Sequence, residues 1–283
     1  KKPLPLSYQL SLDLERAFGL SVAKVVPTMG TPEETQEAMG RAGAELLLSM
    51  LRPRFRIGVA WSKTVSAILP YIKQPHPHVD CRVNELAGTY LAPHIPYSVS
   101  WQLAEKLKVP LESIPVPVLL KSEESKNMML QEEMIHTGLA NARNVDIALV
   151  GIGNVSSTSS LARTGYLDET HIEEIRQKGA VGDILMRYFD RQGRHVPISF
   201  DDRVVSLKWE ELGKLRFVVA IVFGKHKVEA VLGALAGGMI HGIITDRETA
   251  ELLLAGERVG KDASVTGDVN AGGTGPATAR QDR

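Results

Sequence analysis

Residues Gly179-Ala180-Val181-Gly182-Asp183-Ile184 present one carboxylate, Asp183, on a turn of small residues that runs straight into an apolar stretch. An acid framed in this way caps local backbone, grips a ligand hydroxyl or serves as a general base. Three more polar turns each follow a run that reads as a buried strand. The first is Ala60-Trp61-Ser62-Lys63-Thr64, whose hydroxyls, backbone N–H groups and Lys63 make either a phosphate or sugar-hydroxyl cradle or an ordinary strand-to-helix turn with Ser62 as N-cap. The second opens with Gly151-Ile152-Gly153-Asn154 and continues through a hydroxyl-rich tract to Ser160, which suits polyol recognition and equally describes a flexible loop. It lacks the third glycine and downstream acid of a dinucleotide fingerprint, which argues against a nicotinamide cofactor. The third, Gly224-Lys225-His226-Lys227, places a lysine at the start of a helix, from where it reaches toward the same mouth. Together these turns point to one pocket.

The elements that must hold such a pocket alternate between strand-like and helical runs, the pattern of βαβ units and a mainly parallel sheet. Buried parallel strands read as continuous apolar runs, and Ile57 to Ala60, Ile114 to Leu120, Ile147 to Val150, Phe217 to Val222 and Ile240 to Ile244 fit that description. Thr31, Pro32 and Glu34 form a capping box with proline at the first helical position. They open a helix to about Leu51 with Ala38, Ala42, Leu46 and Met50 on one face. Further helices are expected over Ser98 to Lys108, Met128 to Arg143, Glu169 to Lys178, Val228 to Ala236 and Arg247 to Ala255, the last capped by Asp246. In a doubly wound sheet of this kind, ligands bind outside the carboxyl ends of the strands, where loops lead into helix N-termini.

The composition is that of a globular chain, with 283 residues, 43% hydrophobic and 23% charged. Lys plus Arg equal Asp plus Glu at 33 each, which leaves no basic excess for nucleic-acid binding by these residues themselves. The single Cys81 excludes an internal disulfide and fits a reducing compartment, and no signal peptide or membrane-length apolar span is present, so a cytoplasmic location is expected. The His76 and His78 loop lacks carboxylates or cysteines at ligand spacing, and no metal site is expected. The Gly-, Ala- and Thr-rich stretch 259–283 reads as a disordered tail behind one domain over 1–258. The chain starts without an initiator Met, which suggests an upstream segment.

Read in order, Ile57 to Thr64, Asp146 to Gly153, Gly179 to Ile184 with Phe189-Asp190-Arg191-Gln192-Gly193, Gly224 to Val231, and Ile244-Thr245-Asp246-Arg247-Glu248-Thr249-Ala250 resemble the effector-binding domain of SorC-type bacterial sugar-responsive transcription regulators. The match runs from about Leu10 to Leu254. The resemblance implies a Rossmann-like α/β domain, similar to glucosamine-6-phosphate deaminase and ribose-5-phosphate isomerase, that binds a sugar, polyol or sugar phosphate without converting it. It also implies a homodimer or homotetramer, and operator DNA read by an N-terminal helix-turn-helix that this chain lacks. By position, Trp61, Ser62, Lys63 and Thr64 fall on the loop that cradles the phosphate or sugar end, Asp183 on the acid that accepts from ligand hydroxyls, and Lys227 on the lysine opposite it. Gly88 matches a further family glycine, and Gly151 and Gly153 lie on the second loop.

Two departures bear on the ligand. Ala60 and Ser62 stand where the family has glycines, adding side chains where a backbone would approach a phosphate, and Phe223-Gly224 replaces a Gly-Gly pair. Both favour a free sugar or polyol. An isomerase or deaminase on the same fold is the alternative, since fold alone does not settle function, with Asp183 as its one strong base candidate; a pure oligomerisation module with a vestigial pocket is a third.

Overall fold

The computed structural model describes residues 5–73, 80–90 and 98–268, without the side chains of 258–268. The chain forms strands β1 (Val22–Val26), β2 (Arg56–Val59), β3 (Arg82–Glu85), β4 (Leu111–Glu112), β5 (Ile147–Val150), β6 (Gly153–Asn154), β7 (Gly182–Ile184), β8 (Arg187–Phe189), β9 (Val218–Ile221) and β10 (Gly242–Asp246). Seven of them make one sheet in the order β1-β10-β9-β5-β2-β3-β4, and every pairing in it is parallel. The Rossmann-like, doubly wound fold expected from the sequence is therefore present.

Both faces of the sheet are covered, so side chains alternate between two cores. Ile57, Val59, Ile147, Leu149, Val219 and Ile221 point to one core together with the helices Pro32–Met50 and Val99–Leu107. Ala148, Val150, Val218, Ala220 and Val222 point to the other, which holds the helices Leu6–Phe18, Glu169–Gln177 and Val228–Ala236. From β2 the chain winds outward through β3 and β4 and then returns to lay β5 on the other side of β2. That reversal creates the crevice where open α/β sheets take their ligands.

The capping box at Thr31 is present, with the Thr31 side chain accepting from Glu34 N–H and Glu34 reaching back to Thr31 N–H. The buried face of that helix is Thr35, Met39, Gly40, Gly43, Ala44 and Leu47; Ala38, Ala42, Leu46 and Met50 flank it half-buried. Two glycines set this rotation, because they let the helix press against the segment after β2 and against Ile68 and Ile221.

Three elements differ from expectation. Ile114 to Leu120 joins the structure only through isolated bridges such as Thr89 with Pro117 and Leu119 with Val204, since Pro115 and Pro117 cannot donate to a ladder. The Met128 to Arg143 helix is two, Glu123–Met129 and Glu133–Ala142. The last helix continues from Arg247 to Asp268, past the Ala255 expected and into the stretch read as a disordered tail; residues 269–283 and the His76 and His78 loop lie outside the described residues.

Gly40 supplies a test of the packing. A Cβ there would drive into the carbonyl of Ala67, with 2.5 Å left to its carbon. On an open helix face Gly→Ala stabilises by about 1 kcal/mol, whereas overpacking costs about 1–3 kcal/mol. Gly40→Ala is expected to lower the urea midpoint; a raised midpoint would show that the helix has room to move.

Candidate functional site

Asp183 is not on a loop of the parallel sheet. It lies on β7 of a separate antiparallel sheet, β6-β7-β8, where Gly153 of β6 pairs with Asp183 and Asp183 with Tyr188 of β8. Only Leu185 and Met186 connect β7 to β8, and both have positive φ, 57° and 61°. That is the geometry a tight hairpin needs, normally supplied by Asn or Gly, and it costs each L residue roughly 1–2 kcal/mol. Two features offset the cost. Both side chains are buried in the larger core, and Asp183 Oδ2 accepts the Met186 N–H at 3.1 Å.

The remaining carboxylate oxygen, Oδ1, lies directly over Gly153, where any Cβ would collide with it. Gly182 is equally enclosed, between Ala230 and the Gly153 carbonyl. The Gly151-Ile152-Gly153 run therefore has a packing reason in this chain: Gly153 makes room for Asp183, and Gly151 for Ser62, whose Oγ would meet a Cβ there.

Burial pushes the Asp183 carboxyl up to about 6, even though the Met186 N–H bond and the Lys227 charge both pull it down. Burial likewise pulls the Lys227 ammonium down, with Asp183 acting against that. Both shifts mean that mutual attraction does not recover the lost hydration. The two groups are not in contact as an ion pair; Lys227 Nζ donates to the Ile152 carbonyl at 2.6 Å. A buried anion and a buried cation thus lie within electrostatic reach of each other.

The first loop is turned inward. Ser62 is the N-cap of the short helix Lys63–Ser66, its Oγ accepting from Val65 N–H and lying 2.9 Å from Thr64 Oγ1. Thr64 Oγ1 in turn donates to the Ile221 carbonyl of β9 at 2.5 Å. Both hydroxyls expected in a cradle are therefore committed, Ser62 to capping its own helix and Thr64 to joining the β2 loop to β9. Lys63 is exposed and Gln36 donates to its carbonyl.

Trp61 stacks on Tyr90 with centroids 4.0 Å apart, and Tyr90 on Tyr166 at 4.8 Å. The Tyr90 hydroxyl bonds Thr164 and the Ser160 carbonyl. Burial raises its pKa and the nearby Asp183 charge adds to the rise, which ties the aromatic stack to the carboxylate. The Trp61 indole N–H is buried without an acceptor among the described residues. Tyr90 and Tyr166 are absent from the sequence reading. Neither carries a motif, and only the crossing of three chain segments brings them to Trp61.

The structure thus brings together Trp61, Ser62, Thr64, Gly151, Gly153, Asp183 and Lys227 at the crevice between β2 and β5. Gly88 stands apart in role: its N–H donates to the Val205 carbonyl at 2.8 Å, and a Cβ there would press on the Val116 carbonyl at 2.5 Å. No group of acids, histidines and cysteines fit to hold a metal occurs among the described residues.

Comparison with known proteins adds a family. A profile of the family described as "Putative sugar-binding domain" matches residues 2–255. The chain is 28% identical over 254 residues to the sorbitol operon regulator of Klebsiella pneumoniae, covering 87% of this chain and 79% of that protein. It is also 28% identical over 251 residues to the erythritol catabolism regulatory protein EryD of Brucella abortus, covering 86% and 79%. The crystal structure of the full-length sorbitol operon regulator SorC from Klebsiella pneumoniae superposes with a TM-score of 0.80 at 27% identity, over 90% of this chain and 84% of that one.

The Asp183 carboxyl yields a signed test. A folded pKa of about 6 lies above the ordinary 3.8, so the folded state binds the proton more tightly. Stability then falls as pH rises from about 4 through 6, by ~3 kcal/mol at most. Asp183→Asn keeps an acceptor for Met186 and carries no charge. It should be more stable than the parent at pH 8, with the gain fading as pH drops through 6 in thermal melts; a gain independent of pH would refute the buried charge.

Proposed function

The chain belongs to the sugar-binding domain family of transcriptional regulators, and from that premise we propose that it is an effector sensor whose ligand is an unphosphorylated sugar or polyol. The relatives named above are regulators of sugar and polyol operons and not enzymes. One observation carries the ligand assignment: in the loop that would cradle a phosphate, the Ser62 hydroxyl caps its own short helix and the Thr64 hydroxyl is bound to the Ile221 carbonyl of β9, while Asp183 and Lys227, buried but not in contact with each other, leave the gap that we assign to the ligand.

A ligand hydroxyl in that gap donates to the Asp183 carboxylate and accepts from the Lys227 ammonium. Both bonds are charge-assisted and fix orientation better than neutral pairs. The apolar C–H edge of a sugar ring or polyol chain packs on Trp61, backed by Tyr90 and Tyr166, and the indole N–H finds in a ligand oxygen the acceptor it lacks.

As a regulator's sensor, the domain couples ligand to the binding of operator DNA, its macromolecular partner. That coupling requires two states with different ligand affinity, and homo-oligomer assembly as a dimer or tetramer is the arrangement we assign. We place its work in the cytoplasm, where operators are. No helix among the described residues is long and apolar enough to cross a membrane.

A thermal-shift screen of pentoses, hexoses, polyols and their phosphates tests the assignment, since a binder stabilises in proportion to the logarithm of its concentration over Kd. Free polyols or sugars should raise the melting temperature and their phosphates less so; a response confined to phosphates would overturn it. Lys227→Met should abolish the response while the chain still melts cooperatively, at a lower ligand-free temperature because the Ile152 carbonyl loses its donor and the Asp183 charge its partner. Because hydroxyl donors favour ionised Asp183, affinity should be flat above pH 7 and weaken by up to tenfold per pH unit below 6. Light scattering should find at least a dimer, and a monomer at high concentration with and without ligand would count against the assembly.

A further inference from the structure

A second cavity, of about 190 Å³, lies between the helices Glu123–Met129 and Glu133–Ala142 and the segment 204–211, and shares no residue with the site above. That is well beyond the ~10–15 Å³ needed for one water. Its polar lining is Lys126, His136, Arg143, Arg187, Ser206, Lys208 and Glu211. Its apolar lining is Leu130, Leu139, Val204 and Val205.

The charges around it do not balance by contact. Glu211 is paired to Arg143, and Arg187 to Asp201 at 3.5 Å. Arg187 is 5% exposed, and its guanidinium is locked in place by bonds to Ser206 Oγ and to the carbonyls of Asp201, Val204 and Leu207. Lys126 and Lys208 hold no ion pair among the described residues. Burial pulls the Lys126 ammonium down, Arg187 and then Lys208 repel it further, and the charges of Asp202 and Asp201 act the other way without cancelling the fall. The half-buried Lys126 beside the buried Arg187, with the exposed Lys208 at the rim, leaves positive charge around this space that no contacting anion offsets at either lysine, which raises the energy of the empty state. An anion in that space reverses the sign.

We propose that this cavity is a second ligand site that takes a small organic anion bearing a phosphoryl or carboxylate group. The rigid Arg187 forms the back wall, Lys126 and Lys208 close on the anion from the two flanking segments, and the leucine and valine floor accepts a short apolar body. Buried in this way, a charge-assisted contact is far less screened by salt than one at the surface.

The test is calorimetric titration of the whole chain with inorganic phosphate and, separately, with citrate, at an ionic strength held constant with sodium chloride. One saturable site is expected for at least one of them, and which of the two binds assigns the phosphoryl or the carboxylate source. Binding should weaken at least tenfold in Lys126→Met/Lys208→Met and persist in Lys227→Met. The anion-free melting temperature of the double variant should equal or exceed that of the parent, because it loses a repulsion. The proposal is overturned by a heat that never saturates, by binding unchanged in the double variant, or by binding lost instead in Lys227→Met.

Discussion

A carboxylate inside a folded domain is tolerated only where the backbone around it is shaped to hold it, and Asp183 sets that requirement for this molecule. Its Oδ2 is bonded to Met186 N–H and its Oδ1 rests over Gly153. Those contacts demand a hairpin with two left-handed residues that are not glycine, a strand partner without a side chain, and a second enclosed glycine at 182. The small antiparallel sheet exists to meet these conditions on top of the parallel one. The cost shows in the direction of both shifts, Asp183 up and Lys227 down. Such stored cost is common at ligand sites, where a partner that completes the hydrogen bonding relieves it.

The parallel sheet decides where this arrangement stands. Because the chain reverses between β2 and β5, the loops after those two strands diverge and leave a crevice. Thr64 bridges the β2 loop to Ile221 of β9, and Lys227 reaches the Ile152 carbonyl from the turn after β9, so three strand ends are fastened to one another around the crevice. The Thr64 hydroxyl that takes part in this fastening is one that a phosphate cradle would need free.

The aromatic stack completes the division of labour. Beside the Asp183 and Lys227 charges, Trp61, Tyr90 and Tyr166 stack into one aromatic surface with little conformational freedom to lose. Tyr90 belongs to both systems, since its hydroxyl ties Thr164 and Ser160 while its ring lies within reach of the Asp183 charge. Movement of the segment that follows the second loop would disturb the stack and the carboxylate together, which is the kind of coupling a sensor requires.

Local pattern was enough for much of this. Apolar runs marked β2, β5, β9 and β10, since strands buried on both faces have no polar alternation to hide them. The capping box fixed the start of the helix at Pro32 because it is made within four residues. The order of the polar turns carried the family resemblance, which implied Lys227 opposite Asp183. What local pattern could not supply were features made by residues far apart in the chain. Proline-broken pairing at 115 and 117 and the short β6-β7-β8 sheet depend on which backbone lies alongside. The role of Gly153 depends on a carboxylate thirty residues away, and the Trp61, Tyr90 and Tyr166 stack on three segments crossing. The Ser62 hydroxyl, legible as a cradle or as a cap, meets only Val65 N–H and Thr64 Oγ1 close by in sequence, whereas the Thr64 hydroxyl was decided by tertiary structure, because its acceptor is the Ile221 carbonyl of β9. The sequence by itself determined the fold class; the three-dimensional packing decided that Lys227 fastens to the Ile152 carbonyl within electrostatic reach of the buried Asp183, because those partners are brought together only by strand ends far apart in the chain.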